Sequence, residues 1–82
     1  MNPPIAGVPT SLRASHLGAG SRAMVTAIEG GEGVIERFAS LGLVPGTRFK
    51  VMRGGSPMAV AVGETRLALG PDWANALVVI SQ

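Results

Sequence analysis

Few side chains in this sequence are equipped for chemistry. His16 is the only histidine, and the carboxylates Glu29, Glu32, Glu36, Glu64 and Asp72 show no spacing that pairs an acid with a base. With no cysteine there is no thiol nucleophile, no thiolate zinc site, no iron–sulfur cluster and no disulfide. His16 with Glu29 or Glu32 offers at most a nitrogen and oxygen cation site. A transition metal asks for three or four converging ligands, and the four Met residues sit in unrelated segments as filler. Gly30-Gly31-Glu32-Gly33 has the look of a glycine-rich helix entry. It lacks the Gly-Lys-Ser/Thr ending of a phosphate loop, and Glu32 would repel an anion. Lys50, the only lysine, falls in an expected strand, so nucleotide binding and hydrolysis are not expected. Arg48, Lys50, Arg53 and Arg66 form a mild basic face, without the exposed aromatics that stack nucleic-acid bases. The chemistry that is left is binding rather than catalysis, with no cofactor, resident metal or nucleic acid called for.

The elements that position these residues must fit in 82 residues, enough for one compact domain. The sequence is 46% hydrophobic, with eleven Ala and nine Val but only Phe38, Phe49 and Trp73 as aromatics, which predicts a thin core of small pieces. The excess of basic over acidic residues is only two, so the pI of 10.6 does not itself imply a polyanionic partner. Charged residues are just 15% and the mean hydropathy is positive, a composition that reserves apolar surface for a partner. Apolar runs of five residues are far too short to span a bilayer. Met1-Asn2-Pro3-Pro4 has neither the cationic start nor the apolar stretch of a signal peptide, so a cytoplasmic location is expected.

Residues 1–10, with three prolines and no charge, are expected to run as a flexible arm before a single domain over residues 11–82, with order beginning near Leu17. Strand composition over residues 22–28 ends at Gly30-Gly31. Val34, Phe38 and Leu41 then recur at the spacing of a short amphipathic helix that Gly42 stops. Residues 47–53 alternate, with Phe49 and Val51 facing in and Arg48 and Lys50 facing out. Two further strands over residues 58–62 and 65–69 flank a Gly63-Glu64 turn, Pro71 to Ala74 make one helical turn, and residues 77–80 close the sequence as a strand. Five short strands and one short helix predict a mainly β fold, a small five-stranded barrel or a half-open roll, with the helix plugging one end.

Arg37-Phe38-Ala39-Ser40-Leu41-Gly42-Leu43-Val44-Pro45-Gly46-Thr47 resembles the signature of the FeoA family of small ferrous-iron transport accessory proteins. That signature reads arginine, leucine, alanine, any residue, Leu-Gly-Leu, any residue, Pro-Gly-Thr. Leu17, Gly20, Ala23, Val25 and Ile28 before it, and Pro57, Gly63, Leu67, Ala68, Leu69, Ala74 and Val79 after it, extend the resemblance. It departs at Ser56, where the family often has aspartate, and at Gly70, where an arginine commonly stands. The resemblance implies an SH3-like barrel in the cytoplasm that binds and modulates the FeoB-type membrane transporter of Fe(II), through its GTP-binding domain or cytoplasmic face. Weak self-association fits the same reading. The rival readings are an SH3-like adaptor for RNA or protein, and a metal-responsive regulatory domain.

Within the signature, Gly42 and Pro45-Gly46 have structural reasons to exist whether or not a partner does. Leu43 and Val44 lie in a loop between two terminators and are either tucked beneath the barrel or offered outward. The expected partner surface is therefore Leu41, Gly42, Leu43, Val44, Pro45 and Gly46, joined by Trp73.

Overall fold

The computed structural model describes residues 11–82. The expected arm over residues 1–10 lies outside them. The elements run β1 (Ser11–Arg13), a 3-10 turn (Ala14–His16), β2 (Arg22–Ile28), α1 (Glu32–Ser40), β3 (Arg48–Arg53), β4 (Met58–Val62), β5 (Thr65–Leu69), α2 (Pro71–Ala76) and β6 (Leu77–Ser81). All strands join one antiparallel sheet in the order β1-β6-β2-β3-β4-β5. The five expected strands are present, and β1 is a sixth. Order therefore begins before Leu17, because Ser11, Leu12 and Arg13 pair with Ile80, Val79 and Val78 at the far end of the sequence. Three residues carry no periodicity of their own, so β1 exists by virtue of its partner strand. The ladder does not continue from β5 back to β1; α2 packs against both and bridges the gap.

Alternation places one face of the sheet inward. Ala23, Val25, Phe49, Val51, Met58, Val60, Leu69, Leu77 and Val79 are buried, while Arg48 and Lys50 are exposed. Two irregularities interrupt it. Between Val25 and Ala27, and between Val51 and Arg53, the pairing shifts by one residue, so Thr26-Ala27 and Met52-Arg53 are both exposed as neighbours. At the first bulge the Thr26 hydroxyl donates to the Val78 carbonyl at 3.1 Å.

Helix α1 buries only Phe38 fully. Val34 packs partly against the core, Leu41 is half-buried and Ile35 stays exposed. The Phe38 ring meets Trp73 of α2 edge-on, with centroids 5.4 Å apart and planes at 80°, an arrangement the ring quadrupoles favour. The helical turn expected at Pro71 runs on to Ala76, with Pro71 at its first-turn position. Gly30 reads as packing rather than as a phosphate cradle, since a Cβ there would lie 2.8 Å from that of Val34.

Candidate functional site

The signature loop is built from the backbone outward. Gly42, at φ +85°, reverses the chain at the end of α1; its N–H donates to the Ala39 carbonyl at 3.0 Å, and the next N–H, of Leu43, donates to the Phe38 carbonyl at 2.9 Å. This paired C-terminal cap brings the apolar residue after the glycine over the last helical turn. Leu43 is accordingly fully buried, in the same core cluster as Phe38. Of the two readings of Leu43, the tucked one is observed, and its side chain is not available to a partner.

Val44-Pro45-Gly46-Thr47 follows as a turn closed by Thr47 N–H to Val44 O at 2.9 Å, with Pro45 and Gly46 (φ +96°) in the order a type II turn uses. The Thr47 hydroxyl ties both ends of the loop, donating to Gly42 O at 3.1 Å and accepting from Val44 N–H at 3.2 Å. Gly46 N–H to Val25 O at 2.7 Å and Val25 N–H to Thr47 O at 2.8 Å fasten the turn to β2. Thr47→Val removes both hydroxyl hydrogen bonds without changing shape much, and is expected to cost about 1–2 kcal/mol, read as a lowered urea midpoint with unchanged slope.

Gly42, Leu43, Pro45, Gly46 and Thr47 thus have architectural duties, which leaves Leu41 and Val44 as apolar side chains of the loop with exposed surface. Leu41 faces a groove of about 330 Å³ between α1, β5 and α2, lined also by Gly33, Arg37, Phe38, Ala68, Leu69 and Trp73. Two segments far apart in sequence, around Leu41 and Trp73, therefore meet at one concave surface. Trp73 is 38% exposed there despite its contact with Phe38. Val44, 43% exposed, sits on the loop outside the groove lining. Sequence reasoning missed Gly33, Arg37, Ala68 and Leu69. The helical spacing of Gly33 and Arg37 carries a signal for one wall, whereas the β5 wall depends on tertiary packing.

The polar candidates fall elsewhere. His16 and Glu29 share a shallow hollow with Arg13, whose guanidinium is ion-paired with the Glu29 carboxylate. Among the described residues no three His, Cys, Asp or Glu side chains come together in a way that could hold a metal ion, and no helix is long and apolar enough to cross a membrane. Glu32, Glu36, Glu64 and Asp72 are exposed.

Comparison with known proteins places this architecture. The model of the FeoA domain matches residues 12–81. The crystal structure of an iron uptake regulatory protein (FeoA) superposes with a TM-score of 0.85 at 28% identity, covering 89% of this chain and 100% of that one. Zinc-complexed FeoA of Stenotrophomonas maltophilia, described as an SH3 domain protein possibly acting as a ferrous iron transport activating factor, gives 0.72 at 29% identity, over 83% and 88%. A manganese-dependent transcriptional repressor gives 0.83 at 23% identity; 92% of this chain aligns with 44% of that one, a likeness of fold alone. No curated protein sequence matches. With the domain model covering nearly all described residues and the loop geometry accounting for the Leu-Gly-Leu-Val-Pro-Gly-Thr signature, this SH3-like chain belongs to the FeoA family.

Proposed function

We propose that the chain is a non-catalytic accessory module of ferrous-iron transport, which binds the cytoplasmic part of an FeoB-type membrane transporter through the groove between α1, β5 and α2. The observation that carries this reading is the convergence of Leu41 and Trp73 on one concave, largely apolar surface, while neighbouring signature residues are occupied in building the loop. An exposed aromatic ring beside aliphatic side chains is the composition of an interface hot spot. The carboxylates are exposed and scattered, an arrangement suited to a binding module more than to an acid–base enzyme.

The test is a titration of the cytoplasmic part of such a transporter with the whole chain. Leu41→Glu and Trp73→Glu are each expected to retain a cooperative melt and to weaken binding about 30-fold or more, the scale of a hot-spot loss. Ile35→Glu, on the exposed side of α1 outside the groove lining, is the control and is expected to bind as wild type. If both groove variants fold and bind unchanged, the interface is not here.

A further inference from the structure

The charges are sorted by element. Every charged residue within a strand is basic: Arg13, Arg22, Arg48, Lys50, Arg53 and Arg66. Every carboxylate lies in a helix or a connection: Glu32 and Glu36 in α1, Asp72 in α2, Glu29 after β2 and Glu64 in the β4–β5 turn. Arg13 is neutralised by Glu29, the one ion pair among the described residues.

Four of the five remaining strand cations are gathered by register. Arg22 stands directly opposite Lys50, Lys50 opposite Ala61, and Ala61 opposite Arg66, so one row crosses β2, β3, β4 and β5. Arg48 is two residues along β3 from Lys50, on the same face, opposite Met24. Arg22, Arg48 and Lys50 together line a hollow of about 400 Å³ beside Gln82. Like charges directly across a ladder are unfavourable, and the fold holds Arg22 against Lys50 with no carboxylate paired to either.

We propose that this outer sheet face rests on an anionic lipid leaflet. A leaflet supplies many anions over a broad area, which suits four cations spread over several strands better than one compact ligand. The apolar companions fit too, since Met24 is half-buried and Met52 is 42% exposed beside the basic row. Flexible thioether side chains can enter the boundary between headgroups and acyl chains while the cations stay among the phosphates. A nucleic-acid partner lacks its stacking platform here: Phe38 and Phe49 are buried, and Trp73 is in α2.

The inference stands apart from the transporter reading, because its test contains no transporter. The whole chain is sedimented with vesicles of phosphatidylglycerol and phosphatidylethanolamine, and separately with phosphatidylcholine alone. Binding is expected to the anionic vesicles only, and to disappear in about 0.5 M salt, where screening shortens the reach of exposed charges. Each basic residue at an anionic leaflet is worth about fivefold in partition, so Arg22→Gln with Lys50→Gln is expected to lower it about 25-fold. Arg48→Gln alone should lower it about fivefold. Arg13→Gln, in β1 and already paired with Glu29, is the control and leaves it unchanged. Relief of the Arg22–Lys50 repulsion should keep the double variant at least as heat-stable as wild type. Absent binding, equal binding to phosphatidylcholine, or wild-type partition by the folded double variant overturns the proposal. So does salt-sensitive capture of an oligonucleotide, lost in the double variant, by a chain that ignores the vesicles; that outcome assigns the face to nucleic acid.

Discussion

Phe38→Ala is expected to leave no cooperatively folded protein near room temperature. The ring is fully buried and is the only fully buried side chain of α1. Removing a buried phenylalanine costs about 3–5 kcal/mol, of which part is the cavity that remains. A domain of this size has about 3–5 kcal/mol of net stability in all. The loss therefore matches the whole, and the edge-on contact with Trp73 goes with it. Relaxation offers little relief, because most of the core cluster to which the ring belongs lies on paired strands. Circular dichroism with a thermal or urea melt decides the matter: a flat or strongly broadened transition is expected. A wild-type midpoint would mean that α1 is not packed on the core and that the groove beside it has no fixed wall.

Much of the fold was legible because its signals are local. Alternation in Arg48-Phe49-Lys50-Val51 and the turn at Gly63-Glu64 placed β3, β4 and β5 within a residue of their observed bounds, and the Val34, Phe38, Leu41 stripe with Gly42 placed α1. What escaped was non-local. Ser11-Leu12-Arg13 becomes a strand only because β6 offers an edge, and α2 outruns its expected single turn where it spans the gap between β1 and β5. The bulges at Thr26 and Met52 are equally invisible in the sequence, since each is defined by a partner strand. The groove was half legible: Leu41 and Trp73 are both marked in the sequence, in segments about thirty residues apart, but their meeting, and the Ala68 and Leu69 wall, come from tertiary packing. Of the basic face expected from Arg48, Lys50, Arg53 and Arg66, the register gathers Arg48, Lys50 and Arg66 but not Arg53, and Arg22 joins them only through its pairing with Lys50.

Leu43 shows how a loop residue is assigned, and it sets the second large effect: Leu43→Glu is expected to unfold the protein. Its sequence position, between a helix-stopping glycine and a Pro-Gly turn, suits exposure as well as burial. The cap decides between them, because a glycine at φ +85° followed by an N–H bonded to the Phe38 carbonyl fixes where the next side chain points. That direction is into the core, where Leu43 is wholly shielded from water. No buried polar or charged residue exists among the described residues to receive a carboxylate. An unpaired charge there costs several kcal/mol, and protonation to escape it still leaves an unsatisfied carboxyl group. Leu43→Met, similar in volume and apolar, is expected to lose less than about 1.5 kcal/mol. Val44→Glu, one residue on and 43% exposed, is expected to melt as wild type. The three variants measured side by side separate burial from loop damage: if Leu43→Glu melts like Val44→Glu, the side chain is not in the core and Leu43 returns to the partner surface. If Leu43→Met unfolds as well, the loop tolerates no change at this position and volume, not charge, sets its cost.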